Sequence, residues 1–192
     1  DEPSPTDALL QPLADLFRKS DLQVAPVIKR ILGSNLFYSS DSLGRKIKSP
    51  VELVVGMLRS LKGTTNTQLV AKGLLNIGQG LFYPPNVKGW DGGRAWINSS
   101  TLLGRANLVA DIMANDATRF DGKSLTEYLH DCDVQTTEQA IEHFEQCLFA
   151  VRLDDATKAQ LCATADSLSG DEERRMRSLL HAVTSLPVCQ LA

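Results

Sequence analysis

The stretch LFYPPNVKGWDGGRAWINSS, residues 81–100, is the part of this sequence on which the fold most depends. It contains both tryptophans and the pair Pro84-Pro85, and its apolar residues follow neither a helical nor a strand period. Proline restricts the backbone dihedral angles and glycine allows angles that other residues rarely adopt, and the combination is typical of turns. We therefore predict one long ordered loop over 80–100, inside a chain that elsewhere has helical spacing.

On both sides of this loop, apolar residues recur every three or four positions, and no segment alternates with period two. The clearest helix start is Ser49, which can cap, followed by Pro50 at the first helical position and by Glu52, which completes a capping box. We expect an all-α fold, an irregular bundle of about nine helices with no sheet. The predicted helices cover 10–19, 22–32, 50–61, 67–79, 99–115, 124–131, 137–149, 155–167 and 171–185.

The segment 116–123 is the best place to divide the chain, because it carries the turn signal Asp121-Gly122. The predicted organisation is a disordered lead at 1–9, an N-terminal helical subdomain at 10–116 that includes the loop, and a C-terminal helical subdomain at 124–192. Thr136 or Thr137, Asp154 and Ser169 are the expected caps of the later helices.

Four residues of the helices around the loop carry further expectations. Gly56 and Gly73 lie inside predicted helices, where glycine costs about 1 kcal/mol relative to alanine. Close packing is the usual compensation, so we expect one of them to pack against the loop. In the helix after the loop, Leu102-Leu103 is expected to point inward.

The composition argues against nucleic-acid binding and against a membrane-spanning segment. The 192 residues carry a formal charge of -3, and no cluster of Lys and Arg exceeds a pair, so we expect no nucleic acid to bind. No apolar run approaches the roughly 20 residues that span a bilayer, so we expect no membrane span. The acidic, proline-rich start carries no signal peptide, and we expect it to be a mature or excised terminus.

Neither a metal nor a cofactor is expected. Four cysteines fall in the last third of the chain: Cys132, Cys147, Cys162 and Cys189. Their spacing matches no paired zinc motif, and buried free thiols are the leading prediction, with disulfides open if the protein is exported. His143 shares a helix face with Cys147, and the two could bind a metal ion together with Cys132 or Glu142. The sequence does not supply a complete set of metal ligands, however. Nucleotide-binding glycine motifs and nucleophile-elbow motifs are also missing.

The loop is the candidate site. The residues that we single out for binding a ligand or partner are Tyr83, Asn86, Trp90, Asp91, Arg94 and Trp96. Aromatic faces with polar groups among them suit a sugar or a peptide. The alternative is a structural plug, packed on the helices with each indole N–H bonded to a backbone carbonyl. We expect packing to account for most of the loop, which leaves Asp91, Arg94 and any exposed tryptophan face as the main functional candidates.

Three segments together resemble a bacterial family of unknown function, DUF1800. They are KSPVELVVGMLRSL at 48–61, IGQGLFYPPNVKGWDGGRAWINSSTLLGRANL at 77–108 and the closing HAVTSLPVCQLA at 181–192. The resemblance runs from about Leu10 to the end of the chain and implies the C-terminal part of longer, often exported proteins, commonly found beside a sulfatase-like partner family. It brings no catalytic residues with it.

The expected function is therefore a non-catalytic binding or scaffold module of an exported bacterial protein, in contact with a protein partner or a glycan. The alternative is the C-terminal half of an enzyme, such as a hydrolase, whose active site requires an N-terminal half. The exported location follows from the resemblance, and the sequence does not determine the oligomeric state.

Overall fold

The computed structural model describes residues 5–192. By its internal contacts the chain divides into two compact units, the first running to Leu43 and the second covering Gly44–Ala192. The part of the chain that the structure describes is mostly helical, as predicted. Its helices are α1 (Asp7–Lys19), α2 (Val24–Leu32), α3 (Pro50–Ser60), α4 (Thr67–Asn76), α5 (Ser99–Ala114), α6 (Leu125–Asp131), α7 (Thr137–Leu148), α8 (Asp155–Ser167) and α9 (Glu172–Ser185), with 3-10 helices at Gly93–Trp96 and Pro187–Gln190.

The first unit is a helical hairpin of α1 and α2. The two helices pack against each other and are joined by a tight turn in which Asp21 and Leu22 have φ of 54° and 59°. Neither helix buries a residue. The helix α1 begins at Asp7, three residues before its predicted start. Of the predicted disordered lead, residues 1–4 lie outside the described residues.

The prediction of no sheet was wrong. Two short strands, β1 (Gly63–Thr64) and β2 (Arg119–Phe120), pair antiparallel with Gly63 opposite Phe120. Strands of two residues are too short to produce a visible period of two in the sequence. The pairing fixes the segment 116–123 to the end of α3, and the side chain of Phe120 is fully buried.

The second unit has one hydrophobic core, in which α5 and α9 pack together. The helix α9 also packs on α6, α7 and α8, and α3 packs on α7. Core side chains therefore come from both sides of 116–123, among them Leu53, Ile112, Phe144 and Leu180. The predicted boundary at 116–123 lies inside this unit and remains a prediction.

Helix caps follow the sequence closely. Ser49 Oγ accepts a hydrogen bond from Glu52 N at 3.2 Å, and the Glu52 carboxylate accepts one from Ser49 N at 2.8 Å, which confirms the capping box. Thr136 and Asp154 cap α7 and α8 as predicted. Ser169 is not the cap of α9, because Asp171 accepts the hydrogen bond from Arg174 N at 2.8 Å.

The glycines inside the helices differ in their surroundings. A Cβ on Gly73 would lie 2.2 Å from Leu108 Cδ1, so the nearest neighbour of Gly73 is α5 rather than the loop. A Cβ on Gly56 would meet nothing within 4 Å. The prediction that one of them packs against the loop is therefore wrong, and the close approach at Gly73 serves the contact between α4 and α5.

Glu173 joins the start of α6 to α9. Its carboxylate accepts hydrogen bonds from the backbone N–H groups of Leu125 at 3.1 Å and Thr126 at 2.9 Å, and from the Arg177 guanidinium. Burial alone would raise the pKa of Glu173, but these hydrogen bonds outweigh burial, and the net effect is a lowered pKa.

This lowered pKa predicts a pH dependence of stability. The contribution of Glu173 is present above the unfolded pKa of a glutamate, about 4.3, and is lost as the pH falls through the lower folded value. We expect the free energy of unfolding of the wild type to fall as the pH drops below about 5, and Glu173→Gln to reduce that slope because an amide does not ionise. Urea unfolding at a series of pH values measures both slopes.

Glu172→Gln is the matched control for this prediction. Glu172 is the preceding residue, is exposed, and makes no side-chain hydrogen bond within the described part of the chain. Its variant should keep the wild-type slope. A Glu173→Gln protein with the wild-type slope would contradict the assignment.

Candidate functional site

The segment between α4 and α5 is an ordered loop, which we call the signature loop (residues 77–98). Four of its glycines have positive φ, namely Gly78 at 94°, Gly89 at 93°, Gly92 at 76° and Gly93 at 51°. Side chains rarely adopt these angles, so the loop requires glycine at these positions. The second half of the loop turns into the 3-10 helix Gly93–Trp96, a regular element for which the sequence shows no period.

The two tryptophans have different environments. Trp96 is buried, with 9% of its surface exposed, and its carbonyl accepts a hydrogen bond from Thr101 Oγ1 at 2.9 Å at the start of α5. Trp90 is half-buried. Neither indole N–H donates a hydrogen bond to any residue that the structure describes. The loop therefore packs through Trp96, but it lacks the indole hydrogen bonds that the plug alternative requires.

The polar candidates of the loop lie on the surface. Asn86 is exposed, and its Oδ1 accepts a hydrogen bond from Lys88 N at 2.8 Å, which closes a turn. Asp91 is exposed, and its Oδ1 lies 3.3 Å from Lys88 Nζ. The exposed guanidinium of Arg94 has no partner among the described residues. Each polar group is therefore accessible, but the hydrogen bonds of Asn86 and Asp91 remain within the loop.

The first half of the loop exposes large apolar side chains. Phe82 is 95% exposed, Tyr83 is 79% exposed, and Val87 is fully exposed. Phe82 also has φ of 65°, a conformation in which a bulky residue is strained. The turn is closed by a hydrogen bond from Tyr83 N to Gly80 O at 3.1 Å. This turn therefore directs an aromatic ring into solvent.

More exposed apolar residues come from the helix ends on either side of the loop. Leu103 is 64% exposed and Leu102 is exposed too, so the prediction that this pair points inward is wrong. Leu75 near the end of α4 and Leu81 are also exposed. A Cβ on Gly104 would lie 2.6 Å from Ile77 Cγ2, which shows how closely the start of α5 approaches the end of α4. We call this set the loop surface: Leu75, Leu81, Phe82, Tyr83, Val87, Leu102 and Leu103.

A separate polar groove of about 630 Å³ lies along α5 and α9. Its charged lining includes Asp116, Arg119, Asp171 and Arg174. The side chain of Arg174 has no hydrogen-bond or ion-pair partner within the described chain. The sequence does not indicate this groove, because its two walls come from 110–119 and 171–181, and only tertiary packing brings them together.

Arg105 is a buried charge that the sequence also does not indicate. It is 1% exposed, and its guanidinium donates to Gln190 Oε1 at 3.1 Å and to the Lys48 carbonyl at 2.9 Å. Burial lowers its pKa. Since Lys48 N also donates to Gln190 O at 2.8 Å, Arg105 fixes the C-terminal tail to the residues that precede α3. Its role is structural.

The thiols and histidines do not assemble a metal site. Among the described residues, no group of three or more His, Cys, Asp or Glu side chains could hold a metal ion. Cys147 Sγ lies 3.8 Å from His143 Nε2, so the helix face shared by these two residues is real. All four cysteines are free, and Cys132 is exposed rather than buried.

No helix in the described part of the chain has the length and apolarity needed to cross a membrane. Searches of curated proteins and of solved structures found no match to this sequence. A scan against protein families did find one, over residues 1–191, with the family described as "Protein of unknown function (DUF1800)". The match covers essentially the whole chain, including the signature loop and the helices on both sides of it. The chain therefore belongs to the DUF1800 family.

Proposed function

We propose that this chain is a non-catalytic protein-binding module and that the loop surface is its contact face. The observation that carries the proposal is the exposure of Phe82 and Tyr83 on one turn, in which Phe82 is strained, together with that of Val87 further along the same loop. Exposed apolar side chains that cluster on a folded domain are typical of interaction sites. Aromatic residues are also enriched among those that dominate binding energy.

The chemistry of the loop surface favours a protein over a glycan. Its other members are aliphatic, such as Leu75, Leu81 and Leu103, and aliphatic side chains offer a sugar neither a stacking face nor a hydrogen bond. The nearby polar atoms of Asn86 and Asp91 are engaged within the loop. We therefore propose a partner protein with an apolar groove, which would accept the Phe82 and Tyr83 rings.

The exported location remains part of this proposal and is supported only by the family resemblance. The second candidate function is one half of an enzyme, for which the charged groove along α5 and α9 is the supporting observation. Unpartnered Arg174 beside Asp171 in that groove could bind a polar substrate. Hydrolysis of ester, glycoside or sulfate substrates, abolished by Arg174→Ala but not by Phe82→Ser, would favour this candidate over the binding module.

Photo-crosslinking tests the binding module directly. A photoreactive phenylalanine analogue at position 82 should crosslink a protein, whereas the same analogue at exposed Ala150, in the connection between α7 and α8, should not. The crosslinked protein is then purified, and its affinity for the unlabelled chain is measured by calorimetry. We expect Phe82→Ser and Tyr83→Ser each to weaken binding by about tenfold or more, because exposed anchors contribute to binding rather than to folding.

The control for folding is the melting temperature, which should stay close to the wild-type value in both variants because Phe82 and Tyr83 bury little surface. Equal crosslinking from positions 82 and 150, or an affinity that is unchanged in both variants, would overturn the proposal. Binding on a glycan array that Trp90→Ala abolishes would replace the protein partner with a carbohydrate.

A further inference from the structure

Another cavity, of about 310 Å³, lies where α9 packs against α6, α7 and α8. Its lining comes from α6, from the connection between α6 and α7, from the start of α7, from the end of α8 and from the start of α9. Three of the lining residues are buried and apolar, namely Leu129, Val134 and Met176. These side chains give the cavity an apolar surface on which an aliphatic chain can pack.

Arg175 lines this cavity without a partner of its own. Its side chain is half-buried, and its Nε is buried and has no hydrogen-bond partner. Within the described part of the chain, its guanidinium forms no ion pair either. Arg105 and Arg177 are the other arginines there that are not exposed, and both donate hydrogen bonds to acceptors of the fold. A buried N–H of a charged group is unfavourable without an acceptor, so the Arg175 guanidinium is suited to an acceptor that a ligand supplies.

Three carboxylates line the same cavity, and none of them forms an ion pair with a described residue. Glu138 lies in the first turn of α7, Glu172 is the first residue of α9, and Asp166 lies in the last turn of α8. Glu138 and Glu172 suit the positive ends of their helices, whereas Asp166 opposes the dipole of its helix, so helix stability does not explain its position. Apart from His130, the charged groups of the cavity are these three carboxylates and the Arg175 guanidinium.

This set of charges suits an extended ligand. Among the described residues, no three His, Cys, Asp or Glu side chains are arranged to hold a metal ion, so the carboxylates do not converge on one point. An inorganic anion would pair with Arg175 but would meet three charges of its own sign. A free basic α-amino acid matches each part of the cavity, because its carboxylate accepts a bidentate hydrogen bond from a guanidinium and its two cationic groups pair with carboxylates. Its aliphatic stem matches the apolar surface.

We infer that this cavity is a binding site for free arginine or lysine, in which Arg175 holds the α-carboxylate of the ligand. The volume of about 310 Å³ lies at the lower end of the range for small-molecule sites, roughly 300–1,000 Å³. The inference does not depend on the proposed protein-binding function, because the cavity and the loop surface share no residue.

Isothermal titration calorimetry with amino acids and their analogues tests the inference. We expect L-arginine and L-lysine each to bind the wild-type chain saturably at one site. Agmatine lacks only the carboxylate of arginine and should bind about tenfold or more weakly, because it loses the hydrogen bonds from a half-buried guanidinium. Citrulline lacks the side-chain charge and N-acetyl-L-arginine lacks the α-ammonium group. Each should bind about threefold or more weakly, because the carboxylates that they fail to pair are exposed.

Arg175→Gln separates ligand binding from a structural role of the arginine. We expect this variant to bind L-arginine about tenfold or more weakly and to keep the wild-type affinity for agmatine, which has no carboxylate for Arg175 to hold. Arg174→Gln is the matched control, since Arg174 is the preceding residue, is exposed and lines the other groove. Its affinities for both compounds should equal those of the wild type, and far-UV circular dichroism checks that both variants are folded.

Asp166→Asn tests the carboxylates of the cavity. It should weaken the binding of L-arginine by about threefold or more without lowering the melting temperature, because the change removes a negative charge from the end of α8. Three results would each overturn the inference: no saturable binding of either amino acid, equal affinities for L-arginine and agmatine, or equal losses for the two compounds in Arg175→Gln. Phosphate binding that Arg175→Gln abolishes and Asp166→Asn strengthens would also overturn it, because the cavity would then be an anion site.

Discussion

Replacing Trp96 with alanine is expected to lower the free energy of unfolding of the second unit by about 3 kcal/mol. The indole is 9% exposed, and its loss would leave a cavity beside the 3-10 helix of the signature loop. Trp96 lies outside the main core cluster, which places the cost at the lower end of the range for a buried tryptophan. Urea unfolding followed by far-UV circular dichroism measures the change without depending on tryptophan fluorescence.

Trp90→Ala is the matched control, because it removes the other tryptophan of the same loop from a half-buried position. We expect it to lower the free energy of unfolding by about 1 kcal/mol, since less apolar surface returns to water. Equal losses from the two substitutions would show that the loop packs through both indoles. A small loss from Trp96→Ala would show that the loop does not depend on its buried indole at all.

Gly73→Ala is expected to lower the free energy of unfolding by about 1–3 kcal/mol, against the usual helix preference for alanine. The new methyl group would lie 2.2 Å from Leu108 Cδ1, and Leu108 is buried in the core, so neither side chain has room to move away. The expected structural consequence is a wider separation of α4 and α5. Urea unfolding measures the loss.

Gly56→Ala is the matched comparison, because Gly56 is also a glycine inside a helix. A Cβ at Gly56 meets nothing within 4 Å, so we expect a gain of about 0.5–1 kcal/mol. A double-mutant cycle then tests the cause, because Gly73→Ala should cost little in a Leu108→Ala background. An equally large cost in that background would rule out the contact with Leu108 as the reason.

The helices were predictable from the sequence because their determinants are local. Ser49 and Glu52 lie three residues apart, and their reciprocal hydrogen bonds form wherever the surrounding segment becomes helical. The positive φ of Gly89 and Gly92 likewise requires glycine whatever the rest of the chain does. The order of the helices and the position of the signature loop therefore follow from spacing and local chemistry.

The features that the sequence pattern did not predict depend on interactions between segments that are distant in the chain. The pairing of Gly63 with Phe120 joins strands of two residues, which show no period of their own. Leu103 has the spacing of an inward residue, yet it lies at the end of a helix where no other element covers it. Periodicity identifies the apolar face of a helix, but only packing determines how much of that face is buried.

Some properties of the signature loop follow from its own sequence, and others depend on the tertiary structure. Its resemblance to the family and its glycines and prolines, which predict an ordered loop, can be read from the sequence of residues 77–98. The burial of Trp96, the half-exposure of Trp90 and the full exposure of Phe82 depend on where α4 and α5 lie. The same holds for Tyr128 and His143, which lie 15 residues apart in the chain and come to 3.3 Å between Oη and Nε2 only in the fold. Local chemistry acts over a few residues, whereas burial and clustering are properties of surfaces that meet only in the folded chain.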